Sequence, residues 1–139
     1  MNNIINIKNS KSINTTGSSL IGYVTGTYEE LIKAFGEPTY KEPSGDGKVT
    51  TEWKLEFELD VLEFELADKR KPYVKGTIYD WKRYDGGDEC RSGDKFVWHV
   101  GGMDYAALEL IQEKLEEVQN DAVGAFAPLK EDRVMGTVI

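Results

Sequence analysis

The stretch Glu52–Leu59 constrains the fold most, because its apolar and charged residues alternate without a break. Successive side chains of a β-strand point to opposite sides of the sheet, so this stretch predicts a strand with one buried face and one solvent face. The buried face carries Trp53, Leu55, Phe57 and Leu59, and the solvent face carries Glu52, Lys54, Glu56 and Glu58. A sheet built on this strand needs a cover on one side only.

Two helices are predicted to supply that cover. Thr27 and Glu30 have the spacing of a capping box, in which the two side chains bond the first free backbone amides of a helix. Apolar residues then recur with helical spacing, and Gly36 and Pro38 end the pattern. A second helix is predicted to begin after Asp104. The apolar stripes are Tyr28, Leu31, Ile32 and Phe35 in the first helix, and Leu108, Ile111, Leu115 and Val118 in the second.

Further strands are predicted before and after Glu52–Leu59. Short apolar or β-branched runs lie at Leu20–Val24, Leu62–Leu66, Tyr73–Tyr84 and Lys95–Val100, and Asp68–Pro72 has the composition of a turn. The predicted fold class is therefore α+β, with an antiparallel β-sheet of about four to five strands and two helices packed on one face.

The chain divides into three parts by composition. Residues 1–17 are polar and form an N-terminal arm, which we expect to dock as a strand on this domain, on a sister subunit or on a partner. Residues 18–121 form a single α+β domain. Residues 122–139 form a C-terminal tail, expected to pack on the domain or on a partner.

Charge and cysteine content narrow the classes of function. The 139 residues carry a net charge of −8, which repels the phosphate backbone of duplex nucleic acid. The one cysteine, Cys90, cannot form an internal disulfide, and neither a signal peptide nor an apolar run long enough for a membrane span is visible. We therefore expect a cytoplasmic protein that binds no membrane and no cofactor.

Four segments in order carry a resemblance to a family of small uncharacterised proteins of bacteriophages and large DNA viruses. They are GYVTGTYEELIKAFGEPTY at 22–40, TEWKLEF at 51–57, GTIYDWK at 76–82 and WHVGG at 98–102. The chain departs from the family pattern by an insertion near Asp60–Tyr73. The resemblance implies a viral accessory protein in the host cytoplasm, without an activity that could be transferred to residues.

A more distant resemblance concerns the fold alone. A helix that ends in FGEPT and precedes an EW strand is similar to the β-lactamase-inhibitor-like and outer-membrane-lipoprotein modules. Those modules bind other proteins through a sheet face, which implies the same mode of binding here.

The reactive side chains give no diagnostic catalytic set. His99 is the only histidine. Because it lies next to Trp98 and before Gly101 and Gly102, it is better explained as a partly buried structural residue that bonds a loop carbonyl. Cys90 lies among Asp85, Asp88 and Glu89, whose charge would raise the pKa of its thiol and make it a poor nucleophile. We therefore expect a protein that is not an enzyme.

A Mg²⁺-dependent nuclease is the enzymatic alternative. Glu52 and Lys54 share a strand face in an E-x-K arrangement, and Asp46 would supply an upstream carboxylate. The same pattern arises on any solvated strand face with alternating Glu and Lys, and this second interpretation is the one we favour.

Two sequence features favour binding over reaction. The basic turn Lys69, Arg70 and Lys71 stands out on an acidic chain, and around Trp81 and Arg83 basic residues alternate with aromatic ones, a composition able to bind a nucleotide or single-stranded nucleic acid. The candidate binding residues are Glu52, Lys54, Glu56, Glu58, Lys69, Arg70, Lys71, Trp81, Arg83, Trp98 and His99.

The sequence thus predicts a non-enzymatic, virus-encoded accessory protein. We expect it to inhibit or modulate a host protein, such as a defence component, through its sheet face and its arm. A nucleotide, single-stranded nucleic acid or a second copy of the chain remain alternative partners.

Overall fold

A computed structural model describes residues 4–60 and 72–126. Its elements in chain order are β1 Ile4–Asn9, β2 Ser19–Gly26, α1 Tyr28–Phe35, β3 Glu52–Leu59, β4 Tyr73–Tyr79, β5 Phe96–Gly102 and α2 Ala106–Phe126. The strands form one five-stranded sheet in the order β1-β3-β4-β5-β2, and every neighbouring pair is antiparallel. Both helices pack on one face of it, which confirms the predicted α+β class.

The core lies between that face and the helices, and two tryptophans occupy its centre. Trp53 and Trp98 are fully buried, and their rings meet edge to face with centroids 5.3 Å apart. The indole N–H of Trp53 donates to the carbonyl of Gly36, and that of Trp98 to the carbonyl of Gly26. Trp98 was predicted as a binding residue, and this is wrong, because its strand parity places it on the core face.

The helix ends follow the sequence signals. The Thr27 hydroxyl accepts from the Glu30 amide at 3.1 Å, and the Glu30 carboxylate accepts from the Thr27 amide at 2.9 Å, so the capping box is present. Gly36 caps the other end of α1 with a φ of 87°, which a side chain would disfavour. Asp104 accepts from the amide of Ala106 at the start of α2, as predicted.

Strand β4 is shorter than predicted and ends at Tyr79 instead of Tyr84. The next residue, Asp80, is fully buried, and its carboxylate accepts hydrogen bonds from the amides of Thr50 and Thr51. Lys82 and Tyr84 then adopt positive φ angles of 56° and 57°. A strand cannot continue through left-handed backbone, so the β-prone residues after Tyr79 form a loop.

Residues of the predicted arm form part of the sheet. Ile4–Asn9 pairs with β3, so a strand on this domain is the placement that the structure shows for them. Because β1 and β2 lie at opposite edges, residues 10–18 must pass from one edge to the other. We name residues 10–18 the crossing segment. Ile13 in this segment is only 4% exposed, so the segment is packed against the domain.

Several predictions lie outside the described residues. These are the strand Leu62–Leu66, most of the turn Asp68–Pro72, the basic residues Lys69, Arg70 and Lys71, and the tail beyond Phe126. Within residues 4–60 and 72–126, no helix has the length and apolar character needed to cross a membrane.

Candidate functional site

The face of the sheet opposite the helices, named here the open face, carries the candidate site. The register aligns one row of side chains across four strands of this face: Tyr23 on β2 opposes His99 on β5, His99 opposes Tyr79 on β4, and Tyr79 opposes Glu52 on β3. No described helix covers this row. Side chains facing each other in register lie close enough to act together.

Four rings of this region form an aromatic patch, which consists of Tyr23, Tyr79, Trp81 and His99. The His99 ring lies 4.9 Å from Tyr23, 5.5 Å from Tyr79 and 6.4 Å from Trp81, measured between centroids. Tyr23 is 53% exposed and Trp81 is 39% exposed, so the patch presents apolar surface to solvent. Leu20 and Val97, which are also exposed, lie on the same face of β2 and β5 and extend it.

His99 is partly buried, as predicted, and its ring is surrounded by three other aromatic rings. Its Nδ1 is buried and has no hydrogen-bond partner among the described residues. Burial lowers the pKa of His99 below its usual 6.5, the nearby Arg83 adds to this, and Asp80 opposes it. The ring is therefore neutral at pH 7, and it contributes an uncharged aromatic surface.

A small cavity opens beside the aromatic patch, where the crossing segment lies over the open face. Its volume is about 210 Å³. The walls come from four parts of the chain: the crossing segment with the start of β2, then β3, β4 and β5. The lining residues are Thr15, Ser18, Ser19, Glu52, Thr77, Tyr79 and Gly101. We name it the Glu52 cavity, after its one carboxylate.

The carboxylate of Glu52 lies in an unfavourable environment. Burial raises the pKa of Glu52 above its usual 4.5, Lys54 lowers it, and Asp80 raises it further. Within residues 4–60 and 72–126, the side chain has no ion pair and no hydrogen bond. Near the same cavity, the Ser18 hydroxyl is buried and likewise lacks a partner in the described chain. A buried hydroxyl without a partner is uncommon in folded proteins, and it costs stability.

The other predicted residues of the β3 face are ordinary solvated side chains. Glu56 lies between Lys8 on β1 and Lys75 on β4 in the sheet register, and opposite charges at such positions are mutually stabilising. The Lys54 ammonium lies 5.8 Å from the centre of the Tyr40 ring. Glu58 is half-buried opposite Tyr73. None of these residues lines the Glu52 cavity.

Basic residues gather around Trp81. The ammonium groups of Lys82 and Lys48 lie 5.6 Å and 5.9 Å from the centre of the Trp81 ring. Arg83 lies over Phe96 and 3.6 Å from the carboxylate of Glu89, so part of its charge is already balanced. Cations near an exposed indole are suited to stacking and to contact with anions.

The two carboxylates proposed for a nuclease lie in different surroundings, and Glu52 lines the cavity described above. Asp46 accepts from the Ser44 hydroxyl and the Lys48 amide, so it closes its own turn. No group of three potential metal ligands of the His, Cys, Asp or Glu type occurs in the part of the chain that the structure describes.

Cys90 belongs to a buried structural cluster. Its thiol is 1% exposed and lies beside Thr51. Burial raises the pKa of Cys90, and the charge of Asp80 adds to it, whereas the sequence attributed the same effect to the acidic loop residues. Arg91 in the same cluster bonds the carbonyls of Lys41 and Thr50. These groups hold the loops together and are not exposed for reaction.

A larger groove of about 920 Å³ lies between the edge strand β1 and the helix α2. Its walls include Ile4, Ile5 and Ile7 and the acidic residues Glu113, Glu116, Glu117 and Asp121. Ile4 pairs with Leu59, and the description of the chain breaks off after Asp60 and resumes at residue 72. The described residues therefore do not identify an occupant of this groove.

Sequence reasoning missed Ser18, Tyr23, Thr77 and Tyr79. Thr77, Tyr79 and Trp81 are alternate residues, so a strand would point their side chains to one side of the sheet. With Ile78 between them assigned to the core, the sequence would have assigned Thr77 and Tyr79 to the open face. Ser18 carries no such signal, because its place over the sheet depends on the path of the crossing segment.

In comparisons with protein-family models, curated proteins and solved structures, none matches this chain. The resemblance to viral proteins therefore stays a prediction.

Proposed function

We propose that this protein is a non-enzymatic binding protein that contacts another protein through the open face of its sheet. The observation that carries the proposal is the aromatic patch, in which Tyr23 and Trp81 remain exposed next to the apolar side chains of Leu20 and Val97. Tyrosine and tryptophan are enriched at protein interfaces, where they supply much of the binding energy.

The fixed position of the patch supports the same proposal. Three of its rings stand on strands in the middle and at one edge of the sheet, and the strand register sets their spacing. A surface that is already ordered loses little conformational entropy on binding, which favours affinity. If the protein is viral, as the resemblance implies, the partner would be a host protein that binding inhibits or modulates.

Capture of a partner protein from a lysate of the cells in which this protein naturally occurs tests this function. The bait is the full chain, compared with the double variant Tyr23→Ala/Trp81→Ala and with Tyr105→Ala, which removes an exposed tyrosine outside the patch. We expect one stoichiometric protein with the wild type and with Tyr105→Ala, and its loss with the double variant. Absence of a stoichiometric protein, or equal capture by all three baits, would refute the proposal.

A nucleotide or single-stranded nucleic acid is a second candidate ligand, favoured by the position of Lys48 and Lys82 around the Trp81 ring. Base stacking on Trp81 would combine with neutralisation of phosphate by the two ammonium groups. Calorimetry with a panel of nucleotides and oligonucleotides tests it. Saturable heat that Trp81→Ala removes would support this ligand, and no heat with any member of the panel would exclude it.

A further inference from the structure

The Glu52 cavity selects its ligand by charge. Among the described lining residues, Glu52 is the one with a carboxyl group, and none has a cationic side chain. The Lys54 ammonium, which follows on the same face of β3, lies near the Tyr40 ring at 5.8 Å from its centre. Lys54 offsets part of the Glu52 charge, since it lowers the pKa of this carboxyl. A half-buried carboxylate still repels anions and attracts a positive group.

Two polar groups of the cavity have no hydrogen-bond partner among the described residues. The Ser18 hydroxyl is buried without a partner in the described chain, and the Glu52 carboxylate accepts no hydrogen bond there. Burial raises the pKa of this carboxyl, so its surroundings do not compensate for the lost hydration. A ligand with several N–H groups would satisfy both acceptors at once.

The size of the cavity limits the ligand to a small group. Its 210 Å³ is below the volumes of about 300–1,000 Å³ that pockets for drug-sized molecules have, so a nucleotide does not fit. Gly101 allows the side chains of Thr77 and Tyr79 to approach the backbone of β5 closely at this cavity. A Cβ at Gly101 would come within 2.7 Å of the Thr77 hydroxyl and 3.4 Å of the Tyr79 ring.

We infer that the Glu52 cavity binds the guanidinium group of an arginine side chain that the partner protein inserts, an inference that rests on the proposed function. Arginine presents five N–H donors in a planar group, stacks against aromatic rings and is less strongly hydrated than lysine. The cavity offers a carboxylate, three kinds of hydroxyl side chain and the ring of Tyr79 to that group. The arginine would be the anchor beside the aromatic patch.

An NMR titration of the full-length protein with N-acetyl-arginine amide tests the inference. We expect saturable shifts of the backbone amides of Thr77, Tyr79 and Gly101. The uncharged isostere N-acetyl-citrulline amide should bind about tenfold more weakly, because a hydrogen bond to a charged group contributes on the order of that factor. N-acetyl-lysine amide should also bind more weakly than the arginine probe.

Two variants of the cavity and one control variant locate the binding. Glu52→Gln should weaken binding of the arginine probe about tenfold. Glu109→Gln, which removes the same charge from an exposed position on α2, should leave it unchanged. Ser18→Ala should also weaken binding while the protein stays folded, which separates loss of the site from loss of the fold.

Three results would overturn the inference: no saturable shifts, equal affinity for the citrulline or lysine probe, or an affinity that Glu52→Gln leaves unchanged. These failures differ from failure of the proposed function. A partner captured through the aromatic patch by a protein that ignores the arginine probe would leave the function standing and refute the arginine anchor. A protein that binds the arginine probe but captures no stoichiometric partner would refute the proposed function and leave the arginine site standing.

Discussion

At the scale of single residues, Glu52 is the side chain whose charge costs the fold stability. Burial raises the pKa of Glu52 above 4.5, and Asp80 adds to this against the opposing Lys54. The folded chain therefore holds the Glu52 proton more tightly than the unfolded chain does. Stability must then fall as pH rises from the usual glutamate pKa through the raised one, and the loss persists above it.

Glu52→Gln removes this loss, so we expect the variant to be more stable than the wild type at pH 7. The difference should shrink as pH falls below the usual glutamate pKa. Urea denaturation across a pH series measures it, with Glu109→Gln as the control for the change in net charge. A Glu52→Gln variant that is less stable at neutral pH would show that the carboxylate supports the fold.

Trp98 and Trp81 should differ in their contribution to stability, because Trp98 lies in the core and Trp81 belongs to the aromatic patch. Trp98→Phe removes the N–H that donates to the Gly26 carbonyl in the core, and we expect a loss of about 1–3 kcal/mol in the free energy of unfolding. Trp81→Phe changes a partly exposed ring and should cost less than about 0.5 kcal/mol. Urea denaturation of both variants makes the comparison, and equal losses would contradict the assignment of the two faces.

At the scale of elements, Asn9 ties β1 to the end of α1. Its side-chain amide donates to the carbonyls of Phe35 at 3.0 Å and Glu37 at 2.7 Å, and its oxygen accepts from Thr39. Asn9→Ala leaves these groups without partners, so we expect a loss of about 1–3 kcal/mol in urea denaturation. Asn6→Ala, at an exposed position of the same strand, should cost less than about 0.5 kcal/mol.

Similar losses for both asparagines would mean that β1 is held by its strand pairing alone. The ladder with β3 would then fix the N-terminal strand, and the contacts with α1 would be incidental.

The elements that the sequence predicts well are those with local signals. The alternation of Glu52–Leu59 assigns each side chain to the correct face, and the capping box places the start of α1. The end of β4 has no such signal, because it depends on Asp80 reaching the amides of Thr50 and Thr51, about thirty positions earlier in the chain. Local propensity favoured a strand there, and a tertiary contact overrode it.

At the scale of the whole molecule, most of the candidate site could not be predicted from the sequence. The Glu52 cavity combines Ser18, Glu52, Thr77 and Gly101, which come from distant parts of the chain. Only the strand order β1-β3-β4-β5-β2 brings them together, since it forces residues 10–18 to pass between opposite edges of the sheet. Periodicity identifies faces of strands, but it contains no information on such a path.

The molecule as a whole presents two different faces. The helices seal one side of the sheet over the core, and the other side keeps exposed rings beside a carboxylate that lacks a partner in the described chain. With a net charge of −8, the surface favours a basic partner over a nucleic acid backbone. Binding through the open face accounts for both the exposed rings and the unpaired carboxylate.

Hydroxyl-radical footprinting of the complex with the captured partner tests this account most directly. Oxidation of Tyr23 and Trp81 should fall when the partner is bound, whereas oxidation of the exposed Tyr105 should stay the same, because it lies outside the aromatic patch. Unchanged oxidation of Tyr23 and Trp81 in a fully formed complex would show that the partner binds elsewhere and would contradict the account.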